Sequence, residues 1–121
     1  MTAKPLILAV DSNPSNLKLM TQYLGREGYE TRSAASVAEL DQVIKGEERI
    51  SLALIDLSGF DHSIWERCEQ LRKAKVPFLV ISPQRSPTVQ QDSMRHGARG
   101  VLIKPVGVKE LVGYIRALLG E

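Results

Sequence analysis

Short continuous apolar runs alternate along the chain with longer segments in which apolar residues recur every three or four positions. A continuous apolar run of this length is typical of a strand buried on both faces of a parallel sheet, and the longer spacing is typical of an amphipathic helix. The pattern therefore predicts five strands that alternate with five helices. The strands are predicted over residues 5–10, 29–34, 50–56, 77–82 and 100–104.

Capping residues predict where the first two helices begin. Asn13 is a favoured N-cap residue, and Pro14 suits the first helical position because an amide proton is not needed there. Ser36 and Glu39 have the spacing of a capping box, in which side chains satisfy free amides at the helix start. The other three helices are predicted over residues 63–74, 88–96 and 108–119.

The alternation of strands and helices predicts the fold class. Parallel strands need long crossover connections, and right-handed crossovers place helices against the faces of the sheet. We therefore predict an α/β protein in which a five-stranded parallel sheet lies between two helical layers. Residues 1–121 contain no linker, repeat or low-complexity segment, which predicts one domain over that range.

Composition narrows the classes of function. The formal net charge is +2 and aromatic residues make up only 5%, so we expect no direct nucleic-acid binding. No apolar run approaches the ~18 residues of a membrane span, and a single cysteine fits a reducing compartment. We expect a cytoplasmic protein that does not bind membranes, with Cys68 as a buried, unreactive thiol. His62 and His96 lack metal-ligand spacing and are predicted to be surface residues, whereas Trp65 is predicted to pack against other side chains.

Candidate chemistry lies at the carboxyl ends of the predicted strands, where open α/β sheets bind their ligands. The first strand is followed by Asp11 and Ser12, and the third ends at Asp56. The fourth strand ends at Ser82 and the fifth at Lys104. We expect these acidic, hydroxyl and ammonium groups to converge at one edge of the sheet.

Such a set of groups suits phosphoryl transfer to a carboxylate. A carboxylate can act as the nucleophile and form an aspartyl phosphate, while the protein mainly supplies position and positive charge. A lysine ammonium and a magnesium ion held by carboxylate and carbonyl oxygens can supply that charge, and a serine hydroxyl can bond a phosphoryl oxygen. The sequence has no glycine-rich phosphate loop ending in Gly-Lys, which argues against a nucleotide hydrolase.

The ordered set of strand-end residues resembles the receiver domains of two-component response regulators. Asp11 matches the first acid of that family's acidic pair, and Asp56 matches its phosphoacceptor. Ser82 matches the switch hydroxyl, and Lys104-Pro105 matches the family's lysine and proline. The resemblance covers the full length of the chain.

This resemblance implies a flavodoxin-like fold with strand order 2-1-3-4-5, in a signalling domain that is not an enzyme. It implies that Asp56 takes a phosphoryl group from a sensor histidine kinase or a phosphotransfer protein, with Lys104 and Ser82 beside it. Phosphorylation would then change how helix 4, strand 5 and helix 5 bind a downstream output domain or protein. The implied magnesium ligands are Asp11, Asp56, the backbone carbonyl of Ser58 and, weakly, Ser12.

Several positions depart from the family pattern. Ser12 stands where receivers usually have a second acid, which predicts weaker magnesium binding. Gly59 and Phe60 replace the usual Met-Pro after the acceptor. Pro83 replaces a small residue after the switch hydroxyl, and Val101 replaces an aromatic residue. Ser12, Pro83 and Val101 motivate one alternative, a degenerate receiver that binds proteins independently of phosphorylation. A weaker alternative is a small flavodoxin-like ligand-binding protein or subunit, although the absence of a phosphate-cradling loop argues against a flavin there.

Overall fold

The computed structural model describes residues 4–121, and five strands in this part of the chain form one parallel sheet. The strand order is β2-β1-β3-β4-β5, which confirms the predicted fold class and strand order. The strands are β1 Leu6–Val10, β2 Glu30–Ala34, β3 Leu52–Asp56, β4 Phe78–Ser82 and β5 Val101–Ile103. The helices are α1 Pro14–Arg26, α2 Val37–Lys45, α3 Ile64–Lys73, α4 Pro87–Arg95 and α5 Val108–Leu119.

Strand register brings the chemically distinctive residues to one edge of the sheet. Val10 is aligned with Ile55 on the neighbouring strand, so Asp11 and Asp56 both follow at the carboxyl end. Asp56 is aligned in turn with Ile81 of β4. Beyond β5, the Lys104 amide donates to the Ser82 carbonyl at 2.9 Å and continues the ladder past the last strand pair.

Two apolar cores lie on opposite faces of the sheet, because successive side chains of each strand point to opposite faces. Leu8 and Val10 of β1 pack with α2 and α3 residues such as Leu40 and Leu71. On the other face, strand residues pack with Leu24 of α1 and with Leu111 and Ile115 of α5. The three central strands β1, β3 and β4 are buried along their whole length, in agreement with their continuous apolar sequences.

Caps explain where the helices begin. The Asn13 side chain accepts hydrogen bonds from two amides at the start of α1, and the Ser36 side chain accepts from the Glu39 amide at 3.2 Å. Helix α4 begins at Pro87, one residue earlier than predicted, because Ser86 caps it by accepting from the Val89 amide.

The two histidines differ in environment. His62 is exposed, as predicted, but the prediction that His96 is a surface residue is wrong in part. Its ring is half-buried and stacks on Trp65 of α3, with ring centroids 5.1 Å apart and planes 13° from parallel. Its Nδ1 also lies 3.0 Å from Glu69 Oε2. Within residues 4–121, no helix is long and apolar enough to cross a membrane.

Candidate functional site

Two buried carboxylates follow adjacent strands at the carboxyl edge of the sheet. Asp11 and Asp56 are each only 1% exposed. Asp56 Oδ1 accepts from the Ser58 amide at 2.9 Å, and its Oδ2 lies 2.5 Å from Lys104 Nζ. Asp11 Oδ1 accepts from the Asn13 amide at 2.9 Å. Each carboxylate is therefore held by its own loop, and among residues 4–121 a cationic side chain pairs with Asp56 and not with Asp11.

The electrostatics of the pocket follow from burial of two acids side by side. Burial raises the pKa of the Asp11 carboxyl above its ordinary value, because the low-dielectric interior disfavours the charged form. The Asn13 amide opposes that rise in pKa, and the nearby charge of Asp56 adds to it. The pocket therefore favours a further positive charge near Asp11.

Lys104 carries the cationic group of the site. Its side chain is 33% exposed, and its ammonium reaches inward to Asp56. The same Nζ lies 3.5 Å from the Ser58 hydroxyl. The Lys104–Pro105 peptide bond is cis.

Ser82 lies at the same edge, but its hydroxyl is directed elsewhere. The residue is 1% exposed, and its Oγ donates to the Gln84 carbonyl at 2.7 Å in the loop between β4 and α4. The structure thus brings Asp11, Asp56 and Lys104 together, while the Ser82 hydroxyl is bonded within its own loop.

The loops after β1 and β3 are joined by Ser12. Its hydroxyl donates to the Ser58 carbonyl at 2.8 Å. Gly59 follows with a φ of +82°, and a Cβ at that position would lie 2.2 Å from Ser12 Oγ. Side chains at positions 12 and 59 therefore compete for the same space, a relation that the sequence alone did not reveal.

An open groove of about 730 Å³ borders the carboxylates. One wall is α1, including Leu19, Tyr23 and Arg26, and the other is the segment from Lys104 to Leu111. Leu19 is 66% exposed at this groove. The acidic pocket is consequently accessible from a mainly apolar surface.

The donor atoms fit a magnesium ion. Mg²⁺ prefers carboxylate and carbonyl oxygens and retains several waters, so a site needs few protein ligands. The carboxylates of Asp11 and Asp56 and the carbonyl of Ser58 are oxygen donors of this kind in adjacent loops. Within residues 4–121 there is no cluster of three or more His, Cys, Asp or Glu side chains with metal-binding geometry. A third protein ligand for a metal at this site would therefore be the backbone carbonyl of Ser58.

Fold and site together define a doubly wound α/β domain with a lysine-paired acidic pocket. Comparisons with known proteins agree. The family model of the response regulator receiver domain matches residues 7–116. The chain is 32% identical over 118 residues to the transcriptional regulatory protein GltR of Pseudomonas aeruginosa. The aligned region covers 93% of this chain and 48% of that protein. A solved receiver domain protein from Methanospirillum hungatei superposes with a TM-score of 0.88 and 28% identity, covering 98% of this chain and 95% of that one.

The chain therefore belongs to the response regulator receiver domain family. This membership confirms the resemblance seen in the sequence and gives the chain a general role in two-component signalling. It argues against the flavodoxin-like ligand-binding alternative. The chain spans about half the length of GltR and 24% of the DNA-binding transcriptional regulator NtrC of Rhizobium meliloti, to which it is 28% identical over 117 residues.

Proposed function

We propose that this receiver domain takes a phosphoryl group on Asp56 and so transmits a signal from a histidine kinase or phosphotransfer protein. The observation that carries the proposal is the Asp56 carboxylate itself. It is buried at the end of β3, paired with Lys104 at 2.5 Å and bordered by an open groove. A buried nucleophile beside a fixed cation is the arrangement that phosphoryl transfer to a carboxylate requires.

In the proposed reaction, one Asp56 carboxylate oxygen attacks the phosphorus of a donor phosphohistidine. The oxygen–phosphorus bond forms as the nitrogen–phosphorus bond breaks, and the departing imidazole takes a proton from solvent. The Ser58 amide orients Asp56 through Oδ1, and Lys104 balances the negative charge that gathers on the phosphoryl oxygens.

Asp11, Asp56 and the Ser58 carbonyl would hold Mg²⁺ in this proposal. When bound, the ion supplies positive charge to the transferring group. Asp11 contributes chiefly its charge, since burial and the neighbouring Asp56 make its carboxylate favour a cation.

The signal would leave the site through Ser82. Its hydroxyl is bonded to the Gln84 carbonyl, three residues before the start of α4. Rotation of the hydroxyl toward a phosphoryl oxygen would break that bond and release the loop that leads into α4. Exposed apolar residues on α4 and α5 offer a surface for a downstream partner: Met94, Val108 and Tyr114.

A donor protein must cover the opening above Asp56 to deliver its phosphoryl group. The surrounding groove combines exposed Leu19 with Arg26 on α1, and Val108 on the opposite wall is 51% exposed. These groups suit a partner that presents both apolar and acidic side chains. The buried free thiol of Cys68 agrees with the proposed cytoplasmic location of this exchange.

The first testable prediction concerns the acceptor. We expect the protein, incubated with acetyl phosphate and Mg²⁺, to gain the mass of one phosphoryl group by intact mass spectrometry. Asp56→Asn removes the nucleophilic oxygen and should abolish the gain. Asp61→Asn alters an exposed acid in the same loop and should leave the gain unchanged. A gain that persists in Asp56→Asn would assign the acceptor elsewhere.

Two observations favour a second candidate, a receiver that binds its partner independently of phosphorylation. Ser12 replaces the usual second acid, and its hydroxyl bonds the carbonyl that a metal would use. The Ser82 hydroxyl is bonded to Gln84 and not to Asp56. Under this alternative the folded protein shows no mass gain with acetyl phosphate and no change in tryptophan emission when Mg²⁺ and beryllofluoride are added.

A further inference from the structure

One hydrogen bond within the chain engages a candidate metal ligand, the Ser58 carbonyl. Ser12 Oγ donates to the Ser58 carbonyl at 2.8 Å, across 46 positions of sequence. It joins the loop after β1, which carries Asp11, to the loop after β3, which follows Asp56. Both residues are half-buried, so water competes with this bond less than it would at a fully exposed site.

The Ser12 side chain occupies space that is free because residue 59 is a glycine. Gly59 directly follows Ser58, and a Cβ built there would lie 2.2 Å from Ser12 Oγ and 2.9 Å from Ser12 Cβ. Distances below 3.0 Å are not found for real Cβ atoms, so Ser12 fills the volume that a side chain at position 59 would need. The serine and the glycine thus form a matched pair at the junction of the two loops.

The same junction orients the acceptor. The Ser58 amide donates to Asp56 Oδ1 at 2.9 Å, while its carbonyl accepts from Ser12. Asp56 Oδ2 is paired with Lys104, whose ammonium also lies 3.5 Å from the Ser58 hydroxyl. Both oxygens of the acceptor and the adjacent carbonyl are therefore satisfied by groups of the chain itself.

We propose that Ser12 is a lock on the Ser58 carbonyl and not a ligand for the metal. This inference rests on the proposed magnesium site, whose protein oxygens would be Asp11, Asp56 and the Ser58 carbonyl. A carbonyl that accepts a hydrogen bond from a hydroxyl offers less electron density to a cation, so this bond would compete with Mg²⁺ for the Ser58 oxygen. Ser12 is thus a positioning residue that keeps the Ser58 carbonyl engaged and lowers the affinity of the site for divalent cations.

The second testable prediction is that Ser12→Ala changes the Mg²⁺ affinity in opposite directions under the two roles, lock and ligand. Ser12→Ala removes the hydroxyl and frees the Ser58 carbonyl. If Ser12 is a lock, Mg²⁺ should bind the unphosphorylated variant about threefold to tenfold more tightly, the equivalent of one hydrogen bond. If Ser12 is a ligand, binding should weaken. Isothermal titration calorimetry of the whole chain with Mg²⁺ measures the difference.

Two further variants make the result interpretable. Ser15→Ala changes an exposed serine on the first turn of α1 and should leave Mg²⁺ affinity at the unmodified value. Ser12→Asp adds a carboxylate and should tighten binding under either role. Unchanged Mg²⁺ affinity in Ser12→Asp would place the metal elsewhere and overturn the proposed magnesium site. Phosphorylation of Asp56 is measured independently with acetyl phosphate, so failure of the two proposals can be distinguished.

A second readout needs no metal. The Phe60 amide donates to the Leu57 carbonyl at 3.1 Å in the loop that Ser12 holds. Without the lock, we expect amide hydrogen exchange at Phe60 to become faster in Ser12→Ala and to stay unchanged in Ser15→Ala. Unaltered exchange, or an Mg²⁺ affinity that equals or falls below that of the unmodified chain, would overturn the lock.

Discussion

Cys68 illustrates what burial does to a single side chain. It lies on the inner face of α3 and is fully buried, as its place in the helical pattern indicated. Burial raises the pKa of its thiol to about 12, and the charge of Glu69 adds to the effect. Because the thiolate is the reactive form, the folded protein keeps this cysteine inert.

The third prediction follows from the sign of that pKa shift. The folded state holds the thiol proton more tightly than the unfolded state, so the associated stability is complete below pH about 9 and is lost as the pH rises toward about 12. In that window the free energy of unfolding should fall by about 1.4 kcal/mol more per pH unit in the unmodified protein than in Cys68→Ala. Urea titrations of both proteins across the window measure the two slopes, and equal slopes would contradict the shift.

At the scale of elements, α3 is tied to the end of α4 by an aromatic pair. Trp65 packs against the core of one sheet face, and the His96 ring stacks on it. Glu69, one turn further along α3, lies 3.0 Å from His96 Nδ1. His96 is also the residue that ends α4, so the stack fixes the carboxyl end of the helix that the proposed signal would move.

The fourth prediction tests this connection. Trp65 is the only tryptophan of the chain, so tryptophan emission reports on the surroundings of this one side chain, including its contact with His96. We expect His96→Ala to expose the indole face, shift the emission to longer wavelength and lower the free energy of unfolding by about 1 kcal/mol, the typical worth of an aromatic pair. His62→Ala, at an exposed histidine, is the control. An identical spectrum for His96→Ala would show that the ring does not cover Trp65 in solution.

The bounds of α5 and α4 show that the apolar spacing of a sequence locates the ends of some helices better than those of others. Helix α5 has the predicted bounds, because its apolar spacing is regular and Gly120 ends it in a left-handed conformation. Helix α4 has only one fully buried residue, Ser93, so its periodicity is weak. A better signal for its start was present in Ser86 followed by Pro87, the same cap-and-proline pattern that located α1.

At the scale of the molecule, one sheet is shared by two cores that must be stable together. Leu40 of α2 and Ile115 of α5 lie in different cores, and both are fully buried. Because every central strand contributes side chains to both faces, we expect loss of packing on either face to destabilise the whole sheet.

The fifth prediction compares those two faces. Leu40→Ala and Ile115→Ala should each lower the free energy of unfolding by about 2–5 kcal/mol, since each removes buried apolar volume that the core cannot refill. Leu19→Ala makes a similar change at a side chain that is 66% exposed and should cost under about 0.5 kcal/mol. Circular dichroism and Trp65 fluorescence should show one coincident transition in each variant. Separate transitions would mean that the two faces unfold independently.

The sequence by itself determined the class of fold and the residues at the edge of the sheet. Continuous apolar runs and helical spacing are local properties, and a strand that ends in aspartate carries that aspartate to the carboxyl edge in any parallel sheet. The sequence alone therefore places Asp11, Asp56 and Lys104 at that edge. Their roles in phosphoryl transfer stay predictions until Asp56 is tested.

Only the tertiary structure decided how those side chains are partnered. The bond from Ser12 to the Ser58 carbonyl spans 46 positions, and its fit against Gly59 depends on two loops that meet only in the folded state. The direction of the Ser82 hydroxyl and the stack of His96 on Trp65 likewise depend on rotamers and on packing between elements. Such contacts leave no periodic trace in a sequence, because each is selected by geometry across the fold and not by the residues beside it.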